Sequence, residues 1–270
     1  MVIALHASDS DRLWGQRYRP GQPHPDAVRP RRGGQSAIFL SIHLPGVGAV
    51  PIDGGLSPTP TTPFTLEAVL KSLASFQRTL ISGRSDFDRY IYDGDEAALS
   101  QSARRGMALF FSERLECFHC HGGFNFTADV DHEGRIFSEP SFHNTGLYNY
   151  DHLGSYPRPN RGLYEFTGRP EDMGRFRAPT LRNIEVTAPY MHDGSVADLD
   201  EVIDHYAAGG RTVTDGEWAG DGSQNPFKSE FIVGFELSEQ ERADLIEFLH
   251  SLTDREFLED PDFADPNEDR

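Results

Sequence analysis

Cys117-Phe118-His119-Cys120-His121 holds the chain's only two cysteines, three positions apart and directly in front of a histidine. C-x-x-C-H is the spacing at which two thiols add across the vinyl groups of a c-type haem. The two intervening residues match the sulfur separation to the porphyrin edge. The histidine after the second sulfur then meets the iron from one face. Two other chemistries use paired cysteines. A zinc ribbon needs a second cysteine pair, and the sequence has none. Cys117, His119, Cys120 and His121 are also too close along the chain to close one tetrahedron. A thioredoxin-type dithiol needs a βαβ setting, which the patterning does not offer. One covalent haem c is the expected cofactor.

A six-coordinate haem requires a second axial ligand. His132, His143, His152, Met173, Met191, His192, His205 and Tyr206 lie downstream. In DLDEVIDHY, Leu199, Val202, Ile203 and Tyr206 recur at helical spacing, which turns Tyr206 to the core and sets His205 beside the polar edge with Glu201. From the pattern alone Tyr206 reads as a packed core tyrosine more readily than as a ligand. Met191, in APYMHDGS, is a soft donor of the kind electron-transfer cytochromes use. His192 reads as a ligand or as a loop anchor.

Helices must position these groups. Thr65 can cap a helix in FTLEAVLKSLASFQRTLI, ended by Gly83, with Leu66, Val69, Leu70, Leu73, Phe76 and Leu80 on one buried face. SDFDRYIYDGD reads as a connection with a short turn. A second helix, SQSARRGMALFFSE, runs up to the cysteines. An irregular stretch rich in Gly, Pro, Asn and aromatics extends from Gly122 to Pro189. A third helix spans Asp198 to Ala208. The last, SEQERADLIEFLHSLT, opens on a Ser238/Glu241 capping box and buries Leu245, Phe248, Leu249 and Leu252. The expected fold class is mainly α, a c-type cytochrome domain with long haem-wrapping loops.

The 270 residues carry a net charge of −18, which argues against nucleic acid as a partner. No apolar run approaches the ~20 residues of a membrane span. The acidity is uneven. Residues 1–60 hold six Arg against four Asp, a balance of +2 that leaves −20 to the rest. RYRPGQPHPDAVRPRRGG has neither helical nor strand period. SAIFLSIHLPGVGAVPI reads as a strand pair broken at Pro45 and Pro51. The organisation that follows is an irregular Arg/Pro-rich segment 1–62, either disordered or translated from a shifted frame, a haem domain 63–254, and an acidic, frayed tail 255–270. MVIALHASDSDRLW lacks the basic and apolar regions of a secretory signal.

FRAPTLRNIEVTAPYMHDGSVADLDEVIDHY, preceded by RRGMALFFSERLECFHCHGG and LASFQRTLISGRSDFDRY, resembles the bacterial di-haem cytochrome c peroxidase superfamily, and in particular its MauG-like branch. The likeness runs from about Phe64 to Thr253 and matches the family's C-terminal haem domain. It implies that Cys117 and Cys120 carry the haem and that His121 is the proximal ligand. It further implies that Tyr206 is the distal ligand, where the classical peroxidases have methionine. The resemblance implies that the Thr187 and Pro189 carbonyls hold a calcium ion. Arg177 and Arg182 are candidate propionate partners, because a guanidinium matches a carboxylate.

Family members carry a second haem, in an N-terminal domain, that reacts with hydrogen peroxide. No second C-x-x-C-H occurs here, and with the missing export signal this points to a truncated or frameshifted N-terminal part. The implied function is peroxide-linked electron transfer in the periplasm, with an electron-donor protein or a protein substrate as partner and this chain supplying the C-terminal haem. The alternatives are a mono-haem electron carrier without peroxidase activity and an inactive fragment.

Overall fold

A computed structural model describes residues 42–44, 47–50, 65–128 and 142–264. The readings of residues 1–41 and 51–64, of His132 and of the end of the tail lie outside these residues. The chain divides into two units, Val28–Ile81 and the remainder.

In the smaller unit β1 (Ile42–Leu44) and β2 (Val47–Val50) pair antiparallel, with Ile42 opposite Val50 and Leu44 opposite Val47. β1 ends at Leu44, one residue before a proline, which has no N–H for a ladder. α1 (Leu66–Gln77) starts where Thr65 accepts a hydrogen bond from the Ala68 amide at 3.1 Å. It ends at Gln77 and not at Gly83. Its expected buried face is corrected: Leu66 is 74% exposed, and Val69, Leu70, Leu73, Phe76 and Leu80 are exposed as well. Helical periodicity tells which face a helix can bury, not that a partner covers it.

The larger unit is mainly helical, as expected. α2 (Asp86–Asp88) runs into a π-turn at Arg89–Asp93, a longer helical piece than the short turn the sequence suggests. There follow α3 (Gln101–Phe110), α4 (Cys117–Cys120), β3 (Phe142–His143), α5 (Tyr164–Thr167), β4 (Phe176–Arg177), α6 (Leu199–Ala207), β5 (Thr212–Val213), β6 (Gly220–Asp221), α7 (Glu239–His250) and α8 (Arg255–Leu258). The strands form two small antiparallel pairs, β3–β4 and β5–β6. The stretch read as irregular therefore carries short elements. The tail read as frayed is ordered through α8, which Asp254 caps, and a turn at Pro261–Phe263.

α3 and α7 pack against each other to build the main core. Ser100 caps α3, and α7 opens on the expected Ser238/Glu241 capping box. Leu245, Phe248, Leu249 and Leu252 are buried as read. Phe87, Phe110, Phe126 and Phe248 meet at angles that suit their ring quadrupoles, Phe87 with Phe126 at 5.0 Å and Phe110 with Phe248 at 5.2 Å. Gly106 sits at the crossing. A Cβ there would lie inside the radius of the Asp244 carbonyl and 2.8 Å from Phe248 Cβ.

Asp244 ties the same crossing together. Arg105 grips its two oxygens at 2.7 Å each, and Ser102 donates to it at 2.5 Å. The Arg105 guanidinium first, then Ser102, hold this carboxyl well below the usual range. A depressed acid stabilises the fold above its unfolded pKa, ~3.9, and loses that contribution as pH falls further. Acid unfolding followed by circular dichroism is expected to begin at a higher pH for wild type than neutral-pH stability alone would suggest. In Asp244→Asn the slope of stability with pH below about 4 should flatten.

Candidate haem site

α3 delivers the chain to the cysteines. Glu116, at φ 58°, turns it, and α4 is the single helical turn that carries both sulfurs. The Cys117 thiol is enclosed, and burial pushes it up to about 12. Redox dithiols need the opposite shift, toward thiolate. The paired cysteines are also not part of a metal-ligand cluster. Among the described residues the one such group is Glu113, Glu116 and His119. There His119 Nε2 lies 2.7 Å from the Glu116 carboxylate and 3.5 Å from that of Glu113.

His121 Nδ1 lies 3.1 Å from the carbonyl oxygens of both Phe126 and Pro179. Carbonyls only accept, so Nδ1 carries the proton and the ring's lone pair is on Nε2. That tautomer is the one a metal-ligating histidine takes when its other nitrogen donates to the backbone.

The R-A-P-T-L-R-N segment builds this clamp. Thr127 donates to the Ala178 carbonyl at 2.7 Å, and Thr180 donates to the Asn125 carbonyl at 2.6 Å. Arg182 Nε donates to the Phe124 carbonyl at 2.9 Å. The loop 124–127 and the extended segment 178–182 are thus stitched on both sides of His121. Arg182 is itself buried and holds Asp88 bidentately at 2.8 and 2.9 Å. Its expected place at a propionate is corrected: its fork is committed to Asp88 and a backbone carbonyl. Arg177 is exposed on β4, over the Phe142 ring at 6.0 Å.

Tyr206 lies on α6. Its phenol is enclosed by protein, and burial pushes it up, with the Cys120 and Cys117 thiols and Tyr156 as its charge neighbours. The residue nevertheless keeps accessible surface. Tyr206 is within electrostatic reach of both sulfurs. His205 differs from expectation. It is 5% exposed, and neither ring nitrogen has a hydrogen-bond partner. Glu201 and Asp204 are exposed, so the polar edge is real, but His205 is buried with Leu199 and Ile203 on the inner face of α6. Burial lowers its pKa to about 4.

The other candidate ligands are placed as follows. Met173 is in the second core with Leu147 and Tyr156. Met191, at φ 68°, packs against both cores. His192 stacks on Phe176 at 3.9 Å. His143 lies on β3, and His152 is exposed. Thr187 and Pro189 are exposed, and the Thr187 hydroxyl donates to the Ile184 carbonyl at 3.2 Å. The chain's own groups fit a c-type haem: two cysteines on one turn, a histidine with the right tautomer, and an enclosed phenol within electrostatic reach of both sulfurs. Sequence reasoning missed the Phe126 and Pro179 carbonyls and Asp88. Backbone acceptors carry no residue signature, and Asp88 lies far along the chain from Arg182.

No family model matches the chain. It is 36% identical over 190 residues to the methylamine utilization protein MauG of Methylorubrum extorquens, across 70% of this chain and 45% of that protein. It is 36% identical over 212 residues to the cytochrome c peroxidase IdrP1 of a Pseudomonas species, across 73% of this chain and 52% of the relative. Among solved structures it is similar to a MauG-like protein associated with microbial copper homeostasis, with TM-score 0.72 and 47% identity, covering 76% of this chain and 58% of that one. The chain spans about half the length of the curated relatives it matches.

Proposed function

The chain belongs to the di-haem cytochrome c peroxidase and MauG-like superfamily, and from that premise we propose that it supplies the haem domain that moves electrons, not the one that cleaves peroxide. Cys117 and Cys120 would attach one haem c, and His121 and Tyr206 would hold its iron. The observation that carries this reading is the clamp of two backbone carbonyls on His121 Nδ1, one residue after the paired cysteines, together with an enclosed Tyr206 within electrostatic reach of both sulfurs.

When bound, a haem with a hard phenolate ligand favours oxidised iron and supplies a site that takes up and passes on single electrons. The protein's own residues set that behaviour. The two carbonyls on Nδ1 make His121 a more basic ligand and lock its ring. Burial holds the Tyr206 proton on until a strong positive charge faces it. Phe126, Phe118 and Met191 line the surrounding core and limit water. In the intact system hydrogen peroxide is the oxidant, and an electron-donor protein or a protein substrate is the partner. The setting is the periplasm, where c-type haem is attached. Among the described residues no helix is long and apolar enough to cross a membrane. Arg177 as a propionate partner and the Thr187 and Pro189 carbonyls as calcium ligands belong to the same reading and rest on the family likeness.

Tyr206→Phe tests it. The haem-loaded variant should pass from a low-spin to a high-spin ferric absorption spectrum, because phenylalanine offers no ligand atom. An unchanged spectrum would refute the assignment.

A further inference from the structure

A cleft of about 470 Å³ opens between α5, the loop before it and the β3–β4 pair. Phe142, Leu163, Phe166 and Phe176 form its apolar walls, and Arg175 and Arg177 stand in its lining. Its volume is in the range of small-molecule sites. Phe166 is 89% exposed, a full aromatic ring held in water at this cleft.

The charge around the cleft runs against that of the chain. Residues 158–177 carry five Arg against three acids in a chain of net charge −18. The acid in the lining, Glu165, is held bidentately by Arg161 at 2.7 and 3.1 Å. Among the described residues the carboxylate paired with Arg175 is Asp172, at 3.9 Å, and that group's closer partner is Arg169 at 2.9 Å. The cleft therefore combines aromatic walls with a guanidinium whose own ion pair is long.

We propose that this cleft binds a small aromatic carboxylate. The ring stacks among the phenylalanines, and Arg175 meets the carboxylate, which a planar fork does well. β4, which forms one wall, continues into Ala178 and Pro179, whose carbonyl clamps His121. A phenolic acid bound here rests against the strand that fixes the haem's proximal ligand. That position relative to the haem, unlike the binding, rests on the function proposed above.

The test is calorimetry and saturation-transfer NMR with 4-hydroxybenzoate on the haem-loaded full chain. Saturable binding is expected, weakening as salt is raised. Phe166→Ser and Arg175→Gln should each weaken it by about tenfold. The neutral 4-hydroxybenzyl alcohol should bind at least as poorly as the acid does to Arg175→Gln. Phe166 is exposed, so its replacement leaves the core intact, and an unchanged circular dichroism spectrum checks this. No saturable binding to wild type, equal binding of acid and alcohol, or wild-type affinity in both variants would overturn the proposal. The readout needs no peroxide turnover, so its failure is distinct from failure of the haem assignment.

Discussion

Alanine at both Cys117 and Cys120 is expected to abolish covalent haem completely. The two sulfurs are the chain's only thiols, so no other residue can form a thioether. The competing roles for a cysteine pair fit the structure poorly. Burial pushes Cys117 up to about 12, which leaves almost no thiolate at neutral pH for disulfide exchange. The pair also belongs to no ligand cluster among the described residues. Denaturing electrophoresis with in-gel haem staining reads the outcome, using protein made in a host that matures c-type cytochromes. Wild type should keep its stain through denaturation. The double variant should have none, because the proposed ligands His121 and Tyr206 would hold the group only while the fold persists. Each single variant should retain one thioether and a shifted reduced absorption band. A stain that survives in the double variant would contradict the attachment site.

The second large effect is structural. Gly106→Ala places a methyl group against the Asp244 carbonyl, where α3 and α7 are in closest approach. On an isolated helix the change would stabilise, since alanine is the better helix former by ~1 kcal/mol. Here the crossing reverses the sign. The obstacle is backbone and the Phe248 Cβ, not the end of a flexible side chain, so the helices themselves must separate. That strains the Phe110–Phe248 contact and the Arg105–Asp244 pair together. A loss of about 3 kcal/mol is expected from overpacking of this kind. For a unit of this size it corresponds to a fall in Tm of about 6–12 °C, measurable by thermal circular dichroism. A variant as stable as wild type would show that the helices cross less closely than described.

Much of the site is legible in the sequence because its parts are local. C-x-x-C-H lies within five consecutive residues, and the caps at Thr65, Asp198 and Ser238 read directly from residue type and spacing. The buried face of α7 follows from its period. Other features depend on what meets an element from elsewhere in the chain. The α1 stripe has the same periodicity as a core helix, yet Leu66, Leu70 and Leu73 are exposed. Arg182 has the chemistry of a propionate partner, but Asp88 reaches it first from a distant segment. His205 looked peripheral on a helical wheel, and its burial comes from neighbours off the helix. The R-A-P-T-L-R-N string could be recognised without its purpose. The structure gives the purpose: its threonines and Arg182 close the backbone cage that sets the His121 tautomer.

The proposed function requires this chain to build a complete six-coordinate haem site from its own residues. The most direct measurement is the absorption spectrum, ferric and then dithionite-reduced, of the chain carrying an added periplasmic signal and expressed in a host that matures c-type cytochromes. One covalent, low-spin haem that reduces reluctantly is the predicted result. A five-coordinate haem, or no haem on a folded chain, would contradict the claim.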